Sequence, residues 1–274
     1  MNSSFIIQPS KPITDAADLY IEIKSHGLSY IILENNVCLA LATYHFKSGT
    51  TDEMAVRFIH QVIAEPVLTR KFNKVFIIYG YPQSILVPHQ FFDARQNKAM
   101  LDLVFSDTRE SEIRTEYIQP QNIHNVYSVP SVIHTAMMRY FDDASFSHLF
   151  SLLPRLIKAE GNHIYCIFNT GQLTLLLQKD GKLQAVQNFF YKTPEDAAYH
   201  LLNICRSFET DVSTTTVHLS GMIDAASTLY AELYKYFIHL FLEALPEDYE
   251  YPEKMNKYPS HYFSHLFAIA KCVS

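Results

Sequence analysis

Glycine is scarce and tryptophan absent: of 274 residues, seven are Gly and none is Trp. Phosphate cradles rely on backbone that a ligand can approach closely, which glycine permits, so the shortage leaves little material for one. No GxxxxGK[ST] loop, Gly-x-Ser-x-Gly elbow or paired dinucleotide-binding glycines occur. The local signals for P-loop binding, acyl transfer and Rossmann cofactors are therefore missing. Lys and Arg number 22 against 28 Asp and Glu, a formal charge of -6 with no basic cluster, which argues against nucleic acid as a partner. No apolar run nears the roughly 20 residues that span a bilayer, and residues 1–10 lack the basic start and cleavage pattern of a secretory signal. The expectation is a cytoplasmic chain with no membrane span. Cys38, Cys166, Cys205 and Cys272 are scattered through apolar segments without the paired spacing of zinc or redox sites, and read as buried thiols.

What the chain does have is core-forming material: 48% hydrophobic against 18% charged residues, with 18 Tyr and 19 Phe. That balance belongs to a folded protein, and the length suits two units of about 130 residues each.

An internal repeat organises it. Leu19 to Ile23, a turn at Ser25-His26-Gly27, and Leu28 to Leu33 match Ile164 to Phe168, a turn at Asn169-Thr170-Gly171, and Gln172 to Leu177. A spacing of 144 residues relates Gly27 to Gly171, Leu39 to Leu183 and Phe46 to Phe190. Asn35-Asn36 and Asp180-Gly181 supply the positive φ of hairpin turns, so each half opens with three antiparallel strands. A helix follows in each. Thr50 and Glu53 have capping-box spacing before an apolar stripe of Met54, Phe58 and Val62; Thr193-Pro194-Glu195-Asp196 precedes Ala198, Leu201, Cys205 and Phe208. Lys74 to Gly80 and Thr215 to Gly221 then read as strands that pair in parallel after a right-handed crossover.

Beyond Gly80, the pattern predicts a helix over His89 to Phe105, strands near Ile113 to Ile118 and Ile123 to Ser128, and a helix from Pro130 to Phe141. Beyond Gly221, it predicts a helix from Asp224 to Phe237, a strand from Ile238 to Ala244 and a helix from Pro259 to Val273. Phe146 to Lys158 reads as a helical bridge, and the halves divide as 1–142 and 143–274.

Two Gly-turn hairpins, Leu219-Ser220-Gly221-Met222-Ile223 before a helix, and the closing helix together resemble the actin-like ATPase superfamily, which shares the ribonuclease-H-like fold. More narrowly, the chain resembles an uncharacterised bacterial domain-of-unknown-function family of that fold, distantly similar to pilus-assembly and type II secretion scaffold proteins. The resemblance implies an α/β fold in which each half is a mixed five-stranded sheet, three strands antiparallel and the others parallel, with helices. In active relatives the first hairpin of each half carries an Asp-x-Gly turn whose carboxylate organises magnesium. Two residues before Gly27 and Gly171 stand Ser25 and Asn169, and Gly221 is followed by Met222 where relatives place a second glycine.

Other candidates favour plain structure. Glu22, alternating with Ile21 and Ile23, reads as a solvated strand face and lacks the companions a two-metal nuclease needs. His261 and His265 share a helix face, but two ligands do not make a zinc site, and no Glu follows His261. The acidic, aromatic segment Leu245 to Pro252, with Tyr249 and Tyr251, reads as a loop anchored on its own domain or as a partner-binding rim.

The resulting expectation is a non-catalytic actin-like protein in assembly or regulation, with a protein partner. It has no catalytic residue, metal or cofactor of its own, and its enzyme status leans towards none. The alternative is a nucleotide binder or weak ATPase taking ATP with magnesium in an inter-domain cleft lined by Ser25, His26, Gly27, Asn169, Thr170, Gly171, Ser220 and Gly221.

Overall fold

Residues 2–106, 110–158 and 160–273 are described by the computed structural model, whose chain divides into two units: Met1–Ser151 with Glu247–Met255, and Leu152–Pro246 with Asn256–Ser274. Among the described residues no helix is long and apolar enough to cross a membrane.

The first unit opens with β1 (Asn2–Ile7), followed by the three expected strands β2 (Asp18–Lys24), β3 (Gly27–Glu34) and β4 (Val37–His45). Two-residue loops join them: Lys24 pairs with Gly27, and Glu34 with Val37 across Asn35 and Asn36, both at positive φ. α1 (Asp52–Ile63) follows and buries Ala55, Ile59, Val62 and Ile63. Its N-cap is Thr51, whose hydroxyl accepts from the Met54 backbone N–H, rather than Thr50, which instead donates its hydroxyl to the Lys47 carbonyl. β5 (Lys74–Tyr79) then pairs in parallel with β2, as the crossover rule requires.

Next come β6 (Ser84–Pro88), two 3-10 turns (His89–Phe91 and Ala94–Gln96) and α2 (Asn97–Phe105), so the helix expected from His89 starts eight residues later. The Ser84 to Pro88 run pairs instead with β8 (Ile123–Pro130), which also pairs with β7 (Ser111–Ile118) in a separate three-stranded sheet. α3 (Ser131–Tyr140) runs as expected and shares the main core with α1: Ile133 and Met137 pack with Ile59, Leu19, Ile21 and Ile77, all at 0% exposure. Burying each such side chain stabilises the unit by about 1.5–3 kcal/mol.

The helical bridge expected over Phe146 to Lys158 is mostly something else. Ser145–His148 is a strand, β9, parallel to β5, and only the single turn α4 (Leu149–Leu152) is α-helical before a 3-10 turn at Leu153–Leu156. Pro154 has no N–H with which to continue an α-helix. β9 completes a six-stranded sheet of order β1-β4-β3-β2-β5-β9. A carboxylate blunts its free edge, since Glu116 accepts from the His148 backbone N–H at 2.8 Å and from the Ser147 hydroxyl at 2.6 Å.

In the second unit β10 (His163–Asn169), β11 (Gln172–Lys179) and β12 (Lys182–Phe190) form the antiparallel set. α5 (Pro194–Ser207) follows, and β13 (Thr216–Gly221) pairs in parallel with β10. Thr193 and Asp196 close a full capping box on α5. α6 (Thr228–Tyr234) is shorter than expected because Ser227 caps it while Asp224 is used in the preceding turn. β14 (His239–Leu242) pairs with β13, giving the order β12-β11-β10-β13-β14. α7 (Ser264–Val273) begins after a 3-10 turn at Ser260–Tyr262. α5 and α6 cover the face of Ile164, Cys166, Phe168, Val217 and Leu219.

The repeat is real but its spacing is 145, not 144. Each of β2, β3 and β4 begins and ends 145 residues before its counterpart, and the register shift between Ile32 and Leu33 recurs between Leu177 and Gln178. β5 and β13 are related by 142.

Candidate functional site

That one-residue correction changes which residues correspond. Lys24, the last residue of β2, matches Asn169, the last of β10, while Ser25 and His26 match Thr170 and Gly171. The two glycines that look alike in sequence therefore differ physically. Gly171 lies within its loop at φ +70, with the nearest atom to an added Cβ 3.5 Å away. Gly27 begins β3, and there a Cβ would stand 2.3 Å from the Tyr44 carbonyl oxygen. One is needed for conformation, the other for closeness.

Ser25, His26 and Gly27 lie on the first unit. Ser25 is exposed, and the His26 carbonyl accepts from the Phe46 N–H at 2.8 Å. Beside this turn is a pair that sequence reading missed: Lys24 Nζ lies 2.8 Å from Glu22 Oε2, with side-chain exposures of 7% and 2%. Glu22 is thus not on a solvated face. Side chains two apart on a strand share a face, so Lys24 can neutralise the buried carboxylate. Gly80 accommodates this lysine, since a Cβ there would lie 2.8 Å from Lys24 Cγ. The signal available in sequence was the Glu-x-Lys spacing within an otherwise apolar strand.

The remaining five candidates are brought together on the second unit, because Phe168 pairs in parallel with Gly221 and so sets the β10 turn beside the end of β13. Much of their polarity is already used. The Asn169 carbonyl accepts from the Tyr191 hydroxyl at 3.0 Å and the Gly171 carbonyl from the Tyr191 N–H at 3.1 Å. The Ser220 hydroxyl donates to the Cys166 carbonyl at 3.0 Å, and the Phe168 carbonyl accepts from the Met222 N–H at 2.7 Å. Gly221 has φ +80, and a Cβ on it would fall 2.2 Å from the Phe168 carbonyl oxygen.

Among the described residues no group of three or more His, Cys, Asp or Glu is placed to hold a metal. His261 is buried and donates from Nε2 to the Ile223 carbonyl at 2.6 Å. Burial pushes the Cys205 thiol up to about 11 and the Cys38 thiol up to about 12, which keeps both protonated and unreactive. The Tyr249 to Tyr251 segment is stitched to the first unit, with Glu250 accepting from the Cys38 N–H and donating to the Asn36 carbonyl, both at 2.8 Å. The turns can offer backbone donors to a ligand, but their side chains supply no carboxylate to a magnesium ion.

No curated protein matches the chain in sequence. In structure it is similar to a Bacteroides thetaiotaomicron protein with actin-like ATPase fold and unknown function: TM-score 0.75 and 14% identity, over 93% of this chain and 96% of that one. It is also similar to the PilM-PilN type IV pilus biogenesis complex, with TM-score 0.63 and 13% identity over 96% and 100% of the two chains. A third neighbour is the ethanolamine utilization protein EutJ from Carboxydothermus hydrogenoformans, with TM-score 0.54 and 8% identity over 96% and 92%. These likenesses establish the actin-like ATPase fold. The family model described as "Protein of unknown function (DUF3822)" matches residues 10–240, most of the length, and the chain belongs to that family.

Proposed function

We propose that this chain is a non-catalytic member of the actin-like fold that acts in protein assembly or regulation. The observation that carries the reading is the buried Lys24–Glu22 pair. At the turn where the resemblance implies a carboxylate organising magnesium, the first unit carries an ammonium group, and the Glu22 carboxylate is engaged with it. The matching residue of the second unit is Asn169, a neutral amide. Magnesium demands oxygen ligands and transferring phosphoryl groups demand compensated charge, and these residues do not fit such an ion. The PilM-PilN complex supports the assembly side, since it is a protein pair built with a chain of the same fold; fold alone does not assign the role.

A second reading, nucleotide binding without turnover, is favoured by the Gly171 loop, where nothing crowds closer than 3.5 Å to an added Cβ. On it, Ser25, His26, Gly27, Asn169, Thr170, Gly171, Ser220 and Gly221 contribute backbone donors. Incubation with magnesium and ATP, or a non-hydrolysable analogue, separates the readings by melting temperature and phosphate release. The leading reading expects neither to change. Saturable stabilisation without phosphate release moves the assignment to nucleotide sensing, and turnover lost on Asn169→Ala overturns the non-catalytic reading. In-cell crosslinking that recovers no reproducible protein partner counts against assembly.

A further inference from the structure

The second unit holds a half-open cavity of about 220 Å³ between α7 and the sheet face of β10 and β13 that α5 and α6 leave uncovered. That is the space of about seven waters, or of an organic molecule of about ten non-hydrogen atoms. Leu153, Leu156, Ile167 and Ala268 supply apolar wall, and Tyr165, Lys158, His218 and Glu243 the polar one.

Hydrogen bonding determines which polar groups are already committed. His218 Nδ1 meets Glu243 Oε1 at 2.5 Å, His218 Nε2 meets His163 Nδ1 at 3.0 Å, and His163 Nε2 meets the Glu160 carbonyl oxygen at 3.0 Å. Both ends of this chain are acceptors, so each outer nitrogen donates. Burial, with His218 and the Lys158 ammonium adding repulsion, holds His163 below the ordinary imidazole range. The Glu243 carboxylate is committed to His218. The Ser220 and Ser264 hydroxyls donate to the carbonyls of Cys166 and His261.

Two donors remain. The Tyr165 hydroxyl is buried with no hydrogen-bonding partner among the described residues. Burial and the nearby Glu243 push it up to about 12, so it keeps its proton. Lys158, exposed, holds its ammonium 6.0 Å from the centre of the Tyr165 ring, whose other contacts include a stack on His218 at 4.5 Å.

We propose that this cavity binds a small monocarboxylic acid with an apolar body, its carboxylate accepting from Tyr165 and Lys158 and its body lying against Leu153, Leu156, Ile167 and Ala268. An uncompensated buried hydroxyl is satisfied by an acceptor, a cation at the mouth favours an anion, and the apolar wall excludes a fully polar one. The site shares Ser220 with the candidate residues above, but its ligand contacts do not depend on the role proposed there.

The test uses the full chain and four probes of similar size, benzoate, isovalerate, benzylamine and benzyl alcohol, followed by ligand-observed NMR and melting temperature. Benzoate or isovalerate is expected to bind saturably and raise the melting temperature. Tyr165→Phe is expected to weaken that binding at least tenfold while leaving the ligand-free melting temperature unchanged or higher, because it removes an oxygen that has no partner. Ala268→Phe fills the cavity and is expected to abolish binding. No response to either acid, an equal response to benzylamine or benzyl alcohol, or undiminished binding by Tyr165→Phe would overturn the proposal.

Discussion

Replacing Gly221 with alanine is expected to be far more damaging than the same change at Gly171, although both glycines sit at positive φ in the second unit. At Gly171 (φ +70) the added Cβ meets nothing closer than 3.5 Å, so the cost is the left-handed conformation alone, about 1 kcal/mol. At Gly221 (φ +80) the same conformational cost applies, but the Cβ also falls 2.2 Å from the Phe168 oxygen, 3.0 Å from its nitrogen and 3.1 Å from its carbonyl carbon. All three are backbone atoms of the neighbouring strand and cannot rotate away. Relief requires β10 and β13 to part by roughly 1 Å, the scale of overpacking that costs about 1–3 kcal/mol. It also stretches the 2.7 Å bond from Met222 N–H to the Phe168 carbonyl, a net loss of about 1 kcal/mol. The expected total is about 3–5 kcal/mol. Urea unfolding followed by circular dichroism and tyrosine fluorescence compares the two variants within one unit. Equal midpoints for Gly171→Ala and Gly221→Ala would refute the steric reasoning.

Three further outcomes are expected. Breaking the buried pair with Glu22→Gln should destabilise the first unit by about 3–5 kcal/mol, while Glu22→Leu with Lys24→Met should regain most of it; equal losses from single and double variants would contradict the pairing. Thr193→Ala should cost about 1 kcal/mol in thermal unfolding and Thr193→Ser almost nothing, because the hydroxyl accepts from the Asp196 N–H. His148 is fully buried and held neutral down to about 3, donating from Nε2 to the Tyr81 carbonyl while Nδ1 accepts from the Phe150 N–H. The unfolded chain takes up that proton near its ordinary value of about 6.5. Stability is therefore full above that pH and falls as pH drops from about 6.5 towards 3, by on the order of 4–5 kcal/mol in all; an NMR titration showing the ring protonating near 6 would contradict it.

The sheets were legible in sequence because apolar alternation, turn residues and helix caps all report short-range physics. Three antiparallel strands, a capped helix and a parallel return strand appear in both halves, and Thr193 with Asp196 form the expected box. What failed was what short range cannot fix. Ser145 to His148 carries no strong pattern and becomes a strand because β5 presents an unpaired edge to it and Glu116, about thirty residues earlier, caps its far side. Glu22 looked solvated because alternation reports which side of a strand faces the helices, not whether the other side is wet. A spacing of 144 follows from matching Gly27 to Gly171, whereas the strand pairing matches Gly27 to Gln172.

Aligned correctly, the two halves separate geometry from chemistry. Loop lengths, strand lengths and even the position of the β-bulge coincide at a spacing of 145. At the same corresponding positions the side chains have little in common: Glu22 stands against Ile167, Lys24 against Asn169, Ile78 against Ser220 and Tyr79 against Gly221. A clamp for a metal-bound polyphosphate needs matched acceptors for the ion and donors for the phosphates from both turns at once. Here one turn has committed its charge to an internal ion pair, and the other has committed its carbonyls to Tyr191. Register is enforced by packing, because slipping a strand by one residue turns its buried side chains outward. No comparable penalty constrains a turn side chain, which is why the same frame stands in both halves with different side chains at its turns.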